Sequence, residues 1–209
     1  MKKGFTLLEL LIVMAILAIL ASILLVVVKP QQIFSKARDT QRKSDLKNLA
    51  SAIEVYLVET PTGYNLTSDK ATANDGCVGG GAPTLYYSSA LGSSNIADLP
   101  AGSGFTAMKL ATSTPNATNG TGWVPINFAA VTALNIANLP LDPTNSANNI
   151  RPALYYTYAC RNNNTYEFNA NLEVLINDES NDGGNNPAVY ELGTDKTILP
   201  ATTSAAFYQ

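Results

Sequence analysis

The chain has 209 residues, of which 46% are hydrophobic, and it carries a formal net charge of −3 without any histidine. Because histidine is the commonest general base and metal ligand, its absence excludes Ser-His-Asp and Cys-His catalytic arrangements, and we expect neither an enzyme nor an obligatory cofactor. An acidic chain also lacks the clustered cations that bulk nucleic-acid binding requires.

The first element of the chain is an apolar stretch with a basic start. Residues 5–28 are almost entirely apolar, and Lys2 and Lys3 precede them. As a helix this stretch would be about 36 Å long, enough to cross a hydrocarbon core of roughly 30 Å. Positive charges before a span favour a cytoplasmic amino terminus. We therefore predict a single-pass membrane helix, with the rest of the chain on the outer side.

Gly4 ends the basic start, and the apolar run follows without a break. A cut after Gly4 would keep the helix on the mature protein, whereas an ordinary secretory signal is cut after its apolar core. The string KKGFTLLELLIVMAILAILA resembles the class III leader and helix start of type IV prepilins and pseudopilins. This resemblance implies that a prepilin peptidase removes residues 1–4 as a leader peptide and methylates Phe5. It also implies that Glu9 is the glutamate used in assembly.

Glu9 is an unusual residue in this apolar setting. A charged side chain near the centre of a membrane helix costs roughly 2.5–3.5 kcal/mol, and less near its end. Cleavage would create an ammonium group at Phe5, about one helical turn from Glu9, and a neighbouring chain could offer the same group. At about 4 Å such a pair attracts by roughly 4 kcal/mol before desolvation. We expect this pair to set the stagger between subunits; the alternative is an isolated glutamate on a plain anchor.

Residues 29–60 are predicted as the amphipathic second half of the helix. Proline at position 30 should either kink a continuous helix or separate two helices. An apolar stripe follows at helical spacing, comprising Leu46, Leu49, Ala50, Ile53 and Leu57. The charged residues between positions 36 and 47 read as a solvated face or as a contact between subunits. Asp39 and Lys43 have a favourable i,i+4 spacing for an ion pair.

Residues 61–209 are predicted to form a globular extracellular head. Short strands are expected at 85–88, 105–111, 153–160 and 187–193, and residues 122–128 read as a strand or a packed loop. The clearest strand begins at Tyr166, where apolar residues alternate with polar ones and predict one buried and one polar face. The fold class is therefore α+β, a long amino-terminal helix packed on an antiparallel sheet.

Two further features of the head suggest specific chemistry. Cys77 and Cys160 are the only cysteines, and in an exported chain an even count favours a disulfide over two free thiols. The stretch NDESNDGGNN places Asp178, Glu179 and Asp182 in one late loop. Calcium prefers several oxygen ligands from such a loop. The spacing does not match an EF-hand, so an acidic surface turn is the alternative to a calcium site.

Taken with the resemblance, these features predict a structural subunit of a type IV pilus-like filament. Its partners would be identical subunits, the prepilin peptidase, the pilus assembly platform and the membrane that holds the precursor. The subunit would begin in the inner or cytoplasmic membrane and end in an extracellular filament, and adhesion, twitching motility and DNA uptake remain open. One alternative is a pseudopilin of a type II secretion system. The other is a monomeric, membrane-anchored binding module.

Overall fold

Two helices occupy the amino-terminal part of the protein. The computed structural model describes residues 4–60, 66–67, 76–79, 83–88, 105, 107–110, 114–145 and 154–199. Helix α1 covers Leu7–Val28 and helix α2 covers Pro30–Glu59. Lys29 separates them in a left-handed conformation with φ 43°. Of the two outcomes predicted at Pro30, a kink or a separation of two helices, the structure thus shows the separation. Pro30 lies in the first turn of α2, where no backbone donor is needed.

The head contains one five-stranded sheet. Its strands are β1 (Thr84–Tyr87), β2 (Ala107–Leu110), β3 (Tyr156–Cys160), β4 (Tyr166–Ala170) and β5 (Tyr190–Gly193), in the order β2-β1-β3-β4-β5. The pairs β1–β3, β3–β4 and β4–β5 are antiparallel, which confirms the α+β fold with an antiparallel sheet. The pair β1–β2 is parallel, so β2 extends this antiparallel unit at one edge.

The apolar stripe of α2 packs on the first face of the sheet. Leu46, Leu49 and Ile53 are at most 2% exposed, and they share one core cluster with Trp123 and Phe168. The indole of Trp123 meets the ring of Phe168 edge-on at 5.9 Å. The region around Trp123 is a packed segment that leads into a short 3-10 helix, Phe128–Ala130, rather than a strand. This face of α2 therefore forms part of the hydrophobic core of the head.

The second face of the sheet is also buried, which corrects the expected polar face of β4. All five residues of β4 are buried, including Glu167 and Asn169. A second apolar cluster lies on this side and comprises Leu85, Tyr87, Phe105, Tyr155, Ala159, Ile198 and Leu199. The predicted alternation also ends early, because β4 stops at Ala170 and Val174 is 41% exposed.

The charged residues of α2 do not form a uniform solvated face. Asp39 and Arg42 are completely buried, and Arg42 Nη1 lies 2.7 Å from Asp39 Oδ1. Lys43 does not pair with Asp39 as its spacing predicted; its ammonium group instead lies 2.7 Å from Asp178 Oδ2. The expectation of a surface charge pattern is therefore wrong for Asp39 and Arg42, because segments of the head cover them.

Candidate functional site at the amino terminus

Thr6 and Glu9 form the start of α1. Thr6 is the residue before the helix, in an extended conformation, and its hydroxyl oxygen accepts a hydrogen bond from the Glu9 backbone N–H at 3.2 Å. The Thr6 backbone N–H in turn donates to Glu9 Oε2 at 2.9 Å, and the Thr6 hydroxyl donates to the same oxygen at 2.9 Å. This reciprocal capping box satisfies donors that the first turn of a helix leaves free. It also holds the Glu9 carboxylate at the amino-terminal end of α1, where the helix dipole favours negative charge.

The predicted cleavage point lies directly before this cap. Gly4 and Phe5 are outside the helix, and Phe5 is 85% exposed. A side chain built at Gly4 would meet no atom within 4 Å, so this residue is in open space. The Gly4–Phe5 peptide bond is thus accessible to an external enzyme. After cleavage, the new ammonium group of Phe5 would be one residue away from the backbone N–H that already binds Glu9.

The body of α1 has no covering surface within the described part of the chain. The window Leu7–Leu24 has a mean hydropathy of 2.9, and none of it is buried. By length and composition it is the one helix among the described residues that is apolar enough to cross a membrane. Apolar surface of this extent is stable in lipid or against other helices, but not in water. Since none of the described residues covers this helix, lipid or the helices of other chains are the surroundings that would stabilise it.

The two cysteines are joined by a disulfide between Cys77 and Cys160. The bond ties the short stretch 76–79 to the end of β3. The Val78 backbone N–H also donates to the Cys160 carbonyl at 2.8 Å, so the link is supported by a backbone contact. Disulfides persist in oxidising compartments, which agrees with a head on the outer side of the membrane.

The three carboxylates proposed for calcium make separate contacts. Asp178 pairs with Lys43, and Glu179 Oε1 accepts the Leu172 backbone N–H at 2.7 Å. Asp182 Oδ1 accepts the Gly184 backbone N–H at 2.7 Å. Burial raises the pKa of Glu179 to about 7. Within the described ranges no group of three or more acidic, histidine or cysteine side chains could hold a metal ion. Calcium binding in this loop stays a prediction to which the geometry adds no support.

Several residues that form specific contacts or are buried in the structure were not identified from the sequence. Thr6 carried a readable signal, because a threonine three residues before a glutamate at the start of an apolar run is the pattern of a capping box. Asp39 and Arg42 gave no such signal, since charged residues on an amphipathic helix usually face solvent. Glu167 and Glu191 gave none either, because their burial depends on what covers the far side of the sheet.

Comparison with known proteins bears on the amino terminus. The model of the prokaryotic N-terminal methylation motif matches residues 1–25. No curated protein and no solved structure matches the chain. The matched residues include Gly4, Phe5 and Glu9 and most of the unburied apolar helix. The chain thus carries a type IV pilin-like class III leader, and together with the apolar helix behind it this supports a membrane-anchored precursor of the type IV pilin or pseudopilin type.

Proposed function

We propose that this protein is the structural subunit of a type IV pilus-like extracellular filament. A prepilin peptidase removes residues 1–4 and methylates Phe5. An assembly platform then moves the mature subunit from the membrane into a helical polymer of identical chains. The observation that carries the proposal is the methylation motif, which includes most of an apolar helix that the described part of the chain leaves uncovered.

The exposed helix supports transfer from lipid to a bundle. Lipid tails are as apolar as a leucine-rich helix, so leaving the membrane for a bundle of like helices changes the hydrophobic free energy little. Polar groups then decide how the helices align. Glu9 is the only ionisable side chain between residues 5 and 28, and α1 holds it at the end from which the leader is cut. An ammonium group from the same or a neighbouring subunit supplies the matching charge.

The remainder of the chain suits a filament surface. The apolar stripe of α2 packs against one face of the sheet. The disulfide stabilises the head in an oxidising environment. In this arrangement α1 forms the centre of the filament and the heads form its outside. The role is structural and involves no catalysis by this chain.

The test is mass spectrometry of material sheared from the cell surface, with electron microscopy of the same fraction. We expect long fibres that contain this chain with methylated Phe5 as its first residue. Glu9→Ala should reduce fibre yield strongly while cleavage continues. Ser22→Ala is the matched control, because Ser22 is also a polar residue of α1 but carries no charge and bonds only to the Ile19 carbonyl. Its fibre yield should equal that of the wild type.

Other results would point elsewhere. Cleavage and methylation without long surface fibres would favour a pseudopilin that forms a short assembly in a type II secretion system. An intact Met1 combined with indifference to Glu9→Ala would favour a monomeric membrane-anchored binding module. Either result would contradict the filament proposal.

A further inference from the structure

One asparagine of the chain stands directly before a glycine. The pair is Asn119 and Gly120, and no other Asn-Gly pair occurs in the sequence. Asn119 is exposed to solvent, in a turn of the described segment 114–145. Gly120 has φ 89°, in the left-handed region that glycine adopts without strain. An exposed side-chain amide therefore lies next to a backbone nitrogen whose residue carries no side chain.

The side-chain carbonyl of Asn119 accepts two hydrogen bonds from the residue after Gly120. The Thr121 hydroxyl donates to Asn119 Oδ1 at 2.7 Å, and the Thr121 backbone N–H donates to the same oxygen at 3.2 Å. Donors that point at a carbonyl oxygen stabilise the negative charge that develops there when a nucleophile adds to the carbonyl carbon. Thr121 therefore makes the Asn119 amide more susceptible to attack.

The nucleophile within reach is the backbone nitrogen of Gly120. Its attack on Asn119 Cγ closes a cyclic imide, a succinimide, and an intramolecular nucleophile of this kind acts at a high effective concentration. As the bond from the Gly120 nitrogen to Cγ forms, the bond from Cγ to Nδ2 breaks. The amide nitrogen leaves as ammonia and takes up the proton lost from the Gly120 N–H. Water then opens the ring to aspartate or isoaspartate, so water is the only co-reactant.

We propose that Asn119 is a site of spontaneous deamidation, at which a succinimide formed with Gly120 converts the side-chain amide to a carboxylate. Thr121 is the positioning residue, because its two donors hold and polarise the amide that reacts. The reaction needs no enzyme and no other subunit, so it is independent of the proposed role in a filament. Each event adds one negative charge to an exposed turn of the head.

A second asparagine of the head provides an internal reference. Asn163 is exposed, and Thr165 donates to its Oδ1 atom through the hydroxyl at 2.7 Å and through the backbone N–H at 3.3 Å. Asn164, which lies between them, is left-handed with φ 65°. The two sites thus share exposure, hydrogen bonds and a left-handed residue after the asparagine. They differ in the side chain of the attacking residue, which hinders ring closure at Asn163 and is missing at Gly120.

The two products affect the turn differently. Asn119 forms an isolated antiparallel bridge with Asn127, and the Ala129 backbone N–H donates to the Thr118 carbonyl at 3.2 Å. Aspartate leaves the backbone unchanged, so these contacts should persist. Isoaspartate routes the backbone through the side-chain carbon and lengthens it at this residue. The bridge to Asn127 should therefore weaken only in the isoaspartate product.

The test is peptide mass spectrometry of the full chain, incubated in detergent micelles at mildly alkaline pH and then digested with pepsin in acid. Chromatography separates the asparagine, aspartate and isoaspartate forms of each peptide. We expect Asn119 to convert on the order of tenfold or more faster than Asn163, with isoaspartate among its products. Equal rates at the two sites would overturn the proposal. So would conversion of Asn119 in urea but not in the native chain.

Thr121→Val tests the positioning residue. The variant keeps a side chain of similar shape but removes the hydroxyl donor, so conversion at Asn119 should slow roughly two- to tenfold, the rate effect of one lost hydrogen bond. Thr121→Ser is the matched control, because it keeps the hydroxyl and removes the methyl group, and it should convert like the wild type. An undiminished rate in Thr121→Val, or the same slow rate in Thr121→Ser, would contradict the role of the hydroxyl. Conversion at Asn163 should match the wild type in both variants.

Discussion

Arg42 and Asp142 form a double hydrogen-bonded ion pair between α2 and the head. Arg42 Nε lies 2.6 Å from Asp142 Oδ2, and Arg42 Nη2 lies 3.0 Å from Asp142 Oδ1. Both side chains are excluded from solvent. Burial by itself lowers the pKa of Arg42, but hydrogen bonds to its carboxylate partners raise it overall, so Arg42 stays charged. Asp39, Glu173 and the Thr144 hydroxyl also accept hydrogen bonds from the guanidinium group.

Arg42→Ala should destabilise the protein strongly. The substitution leaves the buried carboxylates of Asp39 and Asp142 without their cation, a change that costs about 3–5 kcal/mol for buried pairs. Urea unfolding of the full chain in micelles measures the loss. Arg38→Ala is the control, since Arg38 also binds Glu173 but is 36% exposed. Exposed ion pairs contribute little to stability, so this variant should lose much less than Arg42→Ala. Equal losses for the two variants would contradict the assigned role of Arg42.

Asp39→Asn should loosen the segment that follows β4. The carboxylate of Asp39 accepts the backbone N–H groups of three successive residues, at 2.8 Å from Glu173, 2.8 Å from Val174 and 3.0 Å from Leu175. An asparagine offers one acceptor oxygen in place of two, so buried donors are left unsatisfied at a cost of about 1–3 kcal/mol. Hydrogen exchange at these three amides should accelerate.

Asp45→Asn provides the comparison for Asp39→Asn. It is the same substitution on the same helix, but Asp45 accepts a single hydrogen bond, from the Tyr156 hydroxyl at 3.0 Å, which an asparagine oxygen also accepts. We expect exchange at residues 173–175 to match the wild type in this variant. Acceleration there would mean that the effect is a general weakening of α2 rather than a loss of the Asp39 contacts.

Removal of the disulfide should lower stability without changing the fold. Cys77 and Cys160 are 83 residues apart in the chain, and in the chain-entropy model a closed loop of this size contributes about 4–5 kcal/mol. Cys77→Ala combined with Cys160→Ala should therefore unfold at lower urea concentration. Reducing agent should produce the same shift in the wild type and none in the double variant. Alkylation of unreduced wild-type protein at both cysteines would show that the bond is absent.

Acid should weaken the attachment of Glu173 to α2. The hydrogen bond from Arg38 holds the pKa of Glu173 at about 2, against an ordinary value of 4.5. Because this pKa is lowered in the folded state, the carboxylate stabilises the fold fully above about pH 4.5, and the contribution is lost as the pH falls toward 2. Glu173→Gln should be less stable than wild type at pH 7, and the difference should shrink as the pH approaches 2; a constant difference would contradict this.

Several features of the protein were predictable because they depend on neighbouring residues only. A long apolar run can be a membrane-spanning helix in any context, since its length and hydropathy meet the requirement of the bilayer. The cleavage motif around Gly4 is likewise local, and the match to the methylation motif confirms the leader. The pairing of β3 with β4 follows from two β-rich segments joined by a short turn.

The tertiary structure decided which polar groups are buried. Asp39 and Arg42 meet partners that lie 100 or more residues away in the chain, such as Asp142 and Glu173. The burial of Glu167 depends in the same way on the segment around Ile198. A local pattern distinguishes an apolar face from a polar one, but whether the polar face meets water or another part of the chain depends on long-range packing. The structure of the amino-terminal region could therefore be predicted from the sequence. Which charged groups are buried inside the head depended on the tertiary fold.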